Sequence, residues 1–409
     1  MMYQLGFLLY VYLFRFVSIF HKKARKMVVG HKNSWRILRD GIDHSKPWLW
    51  FHAASLGEFE QGRPIMESIR KEHPEYRLLL TFFSPSGYEV RKNYTGADLV
   101  CYLPFDTIFN VRRFLNIVQP QKVFFIKYEF WPNYLTALKQ RGIPTYLISG
   151  IFRPSQLFFK NYAPFYRRML NSFTHLFVQN QESVDLLASI GRTEEVSISG
   201  DTRFDRVLEI QAAAKILPII EQFAQNNAGN VLVAGSSWPK DEEFIIPYFN
   251  EHPTLKLIIA PHEIHEDHLL TIEAQLKRPF MRYSKMTSEN ASSMDCLIID
   301  GFGLLSSIYR YGDIAYIGGG FGNGIHNTLE AAVYGIPVIF GPKFDKFHEA
   351  KELLACGGGF TINSEAAFNQ LLDVLCSDTE YCSKAGENAG EMVLNGSGGT
   401  NKVLNLIRL

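Results

Sequence analysis

The sequence predicts an α/β protein with two domains, each built around a parallel β-sheet. From residue 48 onward, short apolar runs alternate with amphipathic segments, which is typical of repeated strand–helix units. The chain has 409 residues, more than a single hydrophobic core usually serves. An alanine-rich helical link at residues 211–226 separates a first set of strands from a second. We therefore expect two Rossmann-like domains.

The strands of both domains are predicted from the apolar runs. In the first domain they are residues 48–51, 76–82, 98–103, 122–126, 145–148 and 175–178, with helices such as 107–118 and 134–140 between them. In the second domain they are residues 230–234, 255–260, 295–299, 313–317 and 337–340. Ligands of open α/β sheets bind beyond the carboxyl ends of the strands, so we expect the chemistry in a cleft between two facing domains.

Composition and charge restrict the functional class. Hydrophobic residues make up 46% of the chain, and its 32 Phe and 19 Tyr are far more than a disordered protein would carry. The net charge is only +1, because 42 Lys and Arg nearly cancel 41 Asp and Glu. A general nucleic-acid binder needs a basic excess to neutralise phosphates, so we expect no nucleic-acid partner.

The cysteines and histidines do not form a metal-binding pattern. The five Cys are scattered without a CxxC pair, which favours a reducing compartment. His262, His265 and His268 follow a predicted strand and enter a helix, where a surface or substrate contact is a more common role than a metal site. No Asp-x-Asp pair follows a strand of the second domain. We expect neither a metal nor another cofactor.

The N-terminal segment carries a membrane signal. Residues 3–20 are apolar and aromatic except for Gln4, Arg15 and Ser18, and the basic run 21–26 follows at once. This length is borderline for a membrane span, which needs about 20 residues. The downstream charges argue against a cleaved signal peptide, favour a cytoplasmic location for the rest of the chain, and attract anionic headgroups. We expect membrane association; the alternative is an amphipathic helix that covers a domain surface.

A glycine-rich stretch in the second domain, residues 316–342, is predicted as strand, turn, helix and strand. Glycines free the backbone to approach a ligand, and a helix that starts near Asn327 would point its N–H groups at an anion. Glu330, one turn into that helix, is placed to contact a ribose hydroxyl. The glycines assigned to this phosphate cradle are Gly318, Gly319 and Gly320. The alternative is a tight strand–helix turn that binds no ligand.

A carboxylate follows the first strand directly. Glu58 lies at a predicted helix start, at the carboxyl end of that strand, where a general base is expected. The helix dipole favours negative charge there, so the carboxylate is expected to be ionised and able to accept a proton from an attacking hydroxyl. The alternative role for Glu58 is that of a helix-capping residue.

Six segments, taken in order, resemble the motif series of bacterial 3-deoxy-D-manno-octulosonic acid (Kdo) transferases that act on lipid A. They are residues 52–58, 129–133, 200–205, 235–238, 326–330 and 335–342. Each motif alone is weak, but their order and spacing are specific and extend over nearly the whole chain. With the two-domain pattern, the resemblance implies a GT-B architecture. It also implies an inverting glycosyltransferase that moves Kdo from CMP-Kdo to a lipid A precursor in lipopolysaccharide core biosynthesis.

The resemblance assigns roles to residues of the first domain. Glu58 matches the general base that deprotonates the acceptor hydroxyl, and Ser55 lies in the same catalytic loop. Glu129, Trp131 and Asn133 match a motif that faces the cleft.

The resemblance also assigns residues to the donor. Arg203 stands where the family usually carries Lys and keeps a positive charge for the carboxylate or phosphate of CMP-Kdo. The remaining donor residues are Gly235, Ser236 and Ser237 as a phosphate cradle, with His326, Asn327 and Glu330 at the nucleotide.

At two places the sequence departs from the family pattern, and each departure changes one expected contact with a substrate. Residues 149–153 replace an Asn-Ala-Arg pattern, so that Arg153 is expected to supply an acceptor or donor contact. His262 stands in place of the arginine of a Pro-Arg-His pattern and exchanges a fixed charge for a titratable one in donor binding.

The expected organisation has three parts. Residues 1–30 form a membrane-associated anchor, residues 31–205 an acceptor domain, and residues 206–409 a donor domain. We expect the chain at the cytoplasmic face of the inner membrane. Two alternatives stay open: another GT-B glycosyltransferase or a UDP-sugar epimerase, and a non-catalytic nucleotide-sugar binding module.

Overall fold

The structure of the protein is a computed structural model that describes residues 2–160, 162–225 and 229–409. Contacts divide the chain into two compact units, Met1–Arg206 with Ser397–Leu409, and Val207–Gly396. Residue 226, at the end of the predicted helical link, lies outside the described residues. Residues 397–409, which we expected in the second domain, are grouped with the first unit.

The first unit contains a parallel sheet of seven strands. They are β1 (Trp48–Ala53), β2 (Arg77–Phe82), β3 (Leu99–Tyr102), β4 (Lys122–Ile126), β5 (Thr145–Gly150), β6 (His175–Val178) and β7 (Val196–Ile198). Their order in the sheet is β3-β2-β1-β4-β5-β6-β7. The helices are α1 (Met2–Val17), α2 (Lys22–Gly41), α3 (Leu56–Glu72), α4 (Pro85–Arg91), α5 (Ile108–Val118), α6 (Pro132–Gln140), α7 (Pro164–Leu170) and α8 (Gln181–Ala188), with a 3-10 turn at Leu157–Phe159. Helix α9 (Arg203–Ala212) begins in the first unit and continues into the second.

The second unit repeats this arrangement. Its strands are β8 (Val231–Ser237), β9 (Lys256–Pro261), β10 (Phe280–Arg282), β11 (Cys296–Ile298), β12 (Ile314–Ile317), β13 (Val338–Phe340) and β14 (Gly359–Thr361). They form a parallel sheet in the order β10-β11-β9-β8-β12-β13-β14. The helices are α10 (Pro218–Gln225), α11 (Pro239–Glu251), α12 (Glu266–Gln275), α13 (Leu305–Ile308), α14 (Leu329–Ala332), α15 (His348–Cys356), α16 (Glu365–Ser377) and α17 (Thr379–Gly396), with 3-10 turns at Tyr283–Lys285, Ala291–Ser293 and Tyr309–Tyr311.

Both faces of the first sheet are buried. Successive residues of a strand point to opposite faces, so Trp50 of β1 packs against Phe114 on one side, with ring centres 4.8 Å apart. Phe51 stacks on Phe124 on the other side, at 4.4 Å. Because helices cover both faces, the carboxyl ends of the strands are where polar side chains can gather.

The N-terminal helix α1 has one packed edge and one exposed apolar face. Tyr3 donates a hydrogen bond of 2.8 Å to Asp106, and the ring of Phe7 lies 6.2 Å from that of Trp131. Leu9, Tyr12 and Phe16 are among its solvent-exposed apolar side chains. Within the described residues, no single helix is long and apolar enough to cross a membrane; α1 and α2 meet the length and composition requirements only as a pair bent by 118°.

The C-terminal helix α18 (Gly399–Ile407) belongs to the first unit. Its side chains Val403 and Ile407 are buried in the same hydrophobic cluster as Phe51 and Ile65. Asp205 accepts hydrogen bonds from the backbone N–H groups of Gly398 and Thr400 and so satisfies donors at the helix start.

Candidate functional site

Glu58 lies where β1 ends and α3 begins. Its Oε2 accepts hydrogen bonds from the N–H groups of Ala54, at 2.6 Å, and Ser55, at 3.2 Å. A glutamate at the third helical position that returns to the N–H before the helix is half of a capping box. Glu58 therefore has the capping role that we considered as the alternative, and the same contacts fix its carboxylate at the strand end, as a base requires. Ser55 contributes its backbone N–H to this loop.

The environment of Glu58 changes its acidity. Burial, reinforced by the nearby Glu129 carboxylate, raises the pKa of Glu58 to about 7, while the two backbone hydrogen bonds and Lys127 oppose the shift. We expected the helix dipole to keep this carboxylate ionised, but burial outweighs that contribution. A carboxylate with a pKa near 7 is well suited to general-base catalysis, because it is basic enough to accept a proton and still partly ionised at neutral pH.

Glu129 and Trp131, both expected in the cleft, meet the buried His52. Glu129 Oε2 lies 2.9 Å from His52 Nε2 and accepts the Trp131 indole N–H at 2.7 Å. His52 Nδ1 faces two acceptors of Thr81, the carbonyl at 3.1 Å and Oγ1 at 2.9 Å, because the Thr81 hydroxyl donates to Phe51. His52 Nε2 also lies 3.1 Å from the Trp131 indole nitrogen, so His52, Glu129 and Trp131 form one connected network. The sequence analysis missed His52 as a member of this network.

Asn133, the third residue expected in the cleft, is engaged elsewhere. Its backbone N–H, at 3.1 Å, and that of Tyr134, at 3.0 Å, donate to the Asp106 carboxylate, and its side-chain carbonyl accepts from Gln4 at 3.2 Å. Burial raises the pKa of Asp106 to about 7. The structure therefore gives Asn133 a positioning role at the start of α6, next to α1.

Lys127 is a cation that the sequence analysis did not identify. It directly follows β4, and its charge acts to lower the pKa of both Glu58 and Asp201. Lys127 Nζ lies 5.4 Å from the ring centre of Tyr128, and the exposed Arg153 guanidinium lies 6.0 Å from the same ring. The structure thus brings Arg153 to Tyr128, one residue before Glu129. A lysine at the carboxyl end of a predicted strand was the available signal.

Arg203 is paired with Asp201 inside the first unit. Its Nε and Nη2 contact Asp201 Oδ2 at 2.9 and 2.7 Å, and its backbone N–H donates to Oδ1 at 3.0 Å. Burial by itself would raise the pKa of Asp201, but Arg203 and Lys127 together hold it below the ordinary value. Arg203 therefore fixes the loop after β7, and its expected contact with the donor stays a prediction.

In the second unit, three rings form a stack at the carboxyl ends of β8 and β9. Trp238 and His262 lie 4.6 Å apart between ring centres, and His262 and His326 lie 4.5 Å apart. Trp238 donates its indole N–H to His326 Nε2 at 3.1 Å, so the neutral ring of His326 carries its proton on Nδ1. Burial, together with His262, lowers the pKa of His326 to about 4. Two residues predicted for the donor, His262 and His326, are thus brought together.

Asp241 holds the glycine-rich turn in place and was missed from the sequence. This fully buried carboxylate accepts hydrogen bonds from the N–H groups of Trp238 and Gly319, both at 2.9 Å, and from the Tyr316 hydroxyl at 2.7 Å. The turn after β12 is therefore tied to the start of α11.

The structure accounts for the glycines of this turn by packing. A Cβ on Gly318 would lie 2.2 Å from the Ser236 carbonyl oxygen, and one on Gly320 would lie 2.5 Å from the Gly341 Cα. Gly319 has a φ of +93°, which side chains disfavour. The turn needs these glycines with or without a ligand, as in the alternative considered above.

The helix expected after the turn is only one turn long. α14 covers Leu329–Ala332, too short for a helix dipole to direct at an anion. Asn327 accepts from the Leu329 N–H at 3.2 Å and donates to Glu330 at 2.9 Å. The helix that we expected to start near Asn327 is thus present as a single turn, Asn327 and Glu330 form a local pair, and their contact with a nucleotide stays a prediction.

At the end of β8, where we expected a phosphate cradle, Ser237 is fully buried and donates its hydroxyl to Glu242 at 2.8 Å. The hydroxyl of Ser237 is thus engaged within the protein, and the predicted cradle stays a prediction. Ser236 has a φ of +53° beside a register shift between Gly235 and Ser237. A non-glycine residue in this conformation is strained, and such strain concentrates at functional sites.

His268, one of the three histidines noted in the sequence, contacts Glu242 at 2.8 Å. Burial alone would lower the pKa of His268, but the Glu242 carboxylate raises it. In the part of the chain that the structure describes, no group of three or more His, Cys, Asp or Glu side chains is arranged to hold a metal ion.

Known proteins match this chain in sequence and in fold. The family described as "3-Deoxy-D-manno-octulosonic-acid transferase (kdotransferase)" matches residues 24–206. The 3-deoxy-D-manno-octulosonic acid transferase of Aquifex aeolicus is 30% identical over 346 residues, which are 83% of this chain and 89% of that protein.

Two solved structures share the fold at low sequence identity. The UDP-GlcNAc 2-epimerase from Neisseria meningitidis has a TM-score of 0.57 at 16% identity and covers 86% of this chain and 99% of its own. MurG from Acinetobacter baumannii has a TM-score of 0.56 at 11% identity, over 88% and 99% of the two chains. The two parallel seven-stranded sheets therefore follow the GT-B pattern, and the fold alone does not distinguish a transferase from an epimerase.

Replacement of Gly318 by Ala should destabilise the second unit, because the added Cβ would collide with the Ser236 backbone. Such overpacking costs about 1–3 kcal/mol, measurable by thermal or urea unfolding. Gly322→Ala is the matched control, since its Cβ would meet only the Gly319 carbonyl oxygen, at 3.4 Å. Equal stability of the two variants would contradict the packing explanation of the turn.

Proposed function

This chain belongs to the 3-deoxy-D-manno-octulosonic acid transferase family and is a glycosyltransferase, and we propose that it moves Kdo from CMP-Kdo to a hydroxyl of a lipid A precursor. The observation that carries the proposal is the Glu58 carboxylate, fixed at the carboxyl end of β1 with a pKa of about 7.

Glu58 acts as the general base in this proposal. The acceptor hydroxyl oxygen attacks the anomeric carbon of Kdo and transfers its proton to Glu58. The new carbon–oxygen bond forms as the bond between the anomeric carbon and the CMP phosphate oxygen breaks, and CMP leaves with that electron pair. Attack opposite the leaving group inverts the anomeric centre.

The surroundings of Glu58 suit this role. Glu129 raises the pKa of Glu58 and is itself fixed by His52 and Trp131, so the basicity of Glu58 depends on a rigid, buried network. Lys127 and Arg153 supply positive charge next to Tyr128 for an anionic substrate group.

We assign CMP-Kdo to the second unit, at the stack of Trp238, His262 and His326 and the strained Ser236. An aromatic and imidazole surface can stack on a base, and the backbone of the Ser236 bulge can approach a phosphate. The epimerase alternative shares the fold but not the sequence family, so the sequence relationship favours Kdo transfer.

We also propose that α1 lies in the surface of the inner membrane, on its cytoplasmic side. The support is the exposed apolar face of α1, followed directly by the basic residues that begin α2. A helix with such a face binds by burying it at the level of the headgroups and adjacent acyl chains. This position would bring the first unit to a lipid-borne acceptor.

Glu58→Gln should lower kcat by about 10²- to 10⁴-fold, the usual contribution of a general base, because the amide accepts no proton. The assay is transfer from CMP-Kdo to the lipid A precursor, followed by mass spectrometry. The wild-type rate should fall as pH decreases through about 7, because Glu58 must be ionised, and the variant should lack this dependence. Near-normal turnover of Glu58→Gln would remove Glu58 from the mechanism.

Two controls accompany this variant. Glu72→Gln, at the exposed end of the same helix, makes the same chemical change away from the site and should keep wild-type activity. The raised pKa means that folding stability associated with Glu58 decreases as pH rises from its ordinary value of 4.5 through about 7. Glu58→Gln should consequently unfold at an equal or higher temperature than wild type at pH 8, which separates loss of chemistry from loss of fold.

CMP should raise the unfolding temperature of the protein, because a ligand that binds only the folded state stabilises it. UDP at the same concentration should have a much smaller effect. His326→Ala is expected to reduce the CMP effect, whereas His265→Ala, on the same unit but outside the ring stack, should preserve it. Protection by UDP and not by CMP would favour a UDP-sugar enzyme instead.

Tyr12→Ser combined with Phe16→Ser should reduce binding to phospholipid vesicles by at least about a hundredfold, since burial of each apolar side chain contributes roughly 1.5–3 kcal/mol to binding. Sedimentation with vesicles measures the bound fraction, and thermal unfolding should be unchanged because both side chains are exposed. Phe109→Ser, an exposed phenylalanine on α5, is the matched control. Wild-type binding by the double variant would contradict the placement of α1.

A further inference from the structure

A cavity of about 430 Å³ in the first unit has no part in the proposed mechanism. Its walls come from α2, α4 and β3, and its cationic side chains are Lys22, Arg25 and Lys26. These positions are spaced i, i+3 and i+4, so they share one face in the first turns of a 20-residue helix. We call this cavity the α2 pocket.

The charges of the α2 pocket favour an anion. The start of α2 adds the positive end of a helix dipole to the three cations. Arg25 also donates to the Ser18 carbonyl at 3.3 Å and the Ile19 carbonyl at 2.5 Å, which fixes the turn between α1 and α2 beside the pocket. Glu89, the acidic residue in the lining, lies between Lys26 at 4.0 Å and Lys92 at 3.5 Å, so its charge is balanced.

Tyr102 supplies an independent indication of a ligand. It lines the pocket, is only 1% exposed, and its hydroxyl has no hydrogen-bond partner among the described residues. A buried hydroxyl without a partner is costly, and native proteins rarely leave one.

The packing around Tyr102 is specific. A Cβ on Gly30 would lie 2.2 Å from the Tyr102 ring, so a glycine at this position of α2 lets the ring lie against the helix. The Tyr88 ring packs against the Tyr102 ring, with ring centres 4.3 Å apart. The pocket therefore has an aromatic wall, the Tyr102 hydroxyl and three cations, of which Lys26 also faces Glu89. Such a set matches the oxygens of a phosphate group.

Exposed apolar residues lie in the chain just before the cations and hydrogen-bond donors of the α2 pocket. Phe16, Ile19 and Phe20 are solvent-exposed, and Phe20 is the most exposed at 78%. They precede Lys22 directly, across the turn that Arg25 fixes. A ligand that uses both features carries a phosphate and apolar chains together.

We propose that the α2 pocket binds the phosphate of an anionic phospholipid, whose acyl chains lie along the exposed apolar residues at the end of α1. Lys22, Lys26 and the Tyr102 hydroxyl contact the phosphate oxygens, and the aromatic wall contacts the glycerol carbons. The pocket then recognises the lipid headgroup specifically. This recognition adds to the general electrostatic attraction between basic residues and an anionic membrane surface. This inference rests on the proposed location of α1 at a membrane and is independent of Glu58.

Tyr102→Phe tests the pocket without changing charge. Binding of the full chain to phosphatidylcholine vesicles that contain phosphatidylglycerol should weaken about tenfold, the factor for one hydrogen bond to a charged group. Binding to phosphatidylcholine vesicles alone should be unchanged. The unfolding temperature in the absence of lipid should stay the same or rise, because the variant removes a buried hydroxyl that has no partner.

Lys22→Gln and Lys23→Gln form a matched pair that separates the pocket from general electrostatics. Lys23 is exposed on the same helix and does not line the pocket. Any lysine near an anionic surface contributes roughly fivefold to binding. Lys23→Gln should show this loss, and Lys22→Gln should lose clearly more than tenfold. Equal losses of vesicle binding in Lys22→Gln and Lys23→Gln would overturn the proposed phosphate site. Wild-type binding of Tyr102→Phe to vesicles that contain phosphatidylglycerol would also overturn it.

Three further outcomes are distinguishable. Wild-type protein that does not bind phosphatidylglycerol vesicles would overturn both the pocket and the membrane location of α1. Inorganic phosphate that stabilises wild type but not Tyr102→Phe, at ionic strength matched with chloride, would show a site for free phosphate. A raised KM of Tyr102→Phe for the acceptor in detergent without phospholipid would assign the pocket to the acceptor's phosphates. The last two results would each overturn the choice of a membrane phospholipid.

Discussion

Carboxylates that accept backbone N–H groups at helix starts hold the candidate residues of each unit in place. Glu58 does this at α3, Asp106 at α6 and Asp241 at α11. Helix starts leave such donors unsatisfied, so each carboxylate fixes a loop and satisfies the helix with the same atoms. Asp106 and Asp241 are buried, whereas Glu58 is partly exposed. Of these three, Glu58 is thus the one that a substrate can reach.

Two contacts and one charge interaction connect the N-terminal helix with this carboxylate. Phe7 of α1 contacts the Trp131 ring, Trp131 donates to Glu129, and Glu129 raises the pKa of Glu58. Tyr3 of the same helix donates to Asp106 at the start of α6. The helix that we place at the membrane is therefore also a wall of the network around the proposed base. Its two roles use different faces, one packed and one exposed.

The fold was predictable from the sequence where strands form apolar runs, and less so at the sheet edges. Each expected strand corresponds to one in the structure, but β7, β10 and β14 were missed. They are three-residue strands at sheet edges, partly exposed, so no apolar run marks them.

The candidate site was predictable where a residue's position in the chain alone decides its role. Glu58 follows β1 and caps α3 through neighbours in sequence. His52 and Asp241 depend on partners far along the chain, Glu129 and Gly319, and no local pattern shows these contacts. The glycines after β12 do not separate the two alternatives, because close backbone packing and ligand approach require the same sequence pattern.

Because residues 397–409 belong to the first unit, they affect the order in which the two units can finish folding. The second unit is one continuous segment, whereas the first unit consists of two. On a ribosome the N-terminal segment emerges first, yet Val403 and Ile407 of its core emerge after the whole second unit. Part of the apolar core of the first unit therefore stays exposed until the C-terminal helix has been synthesised. The first unit completes its folding late in biosynthesis.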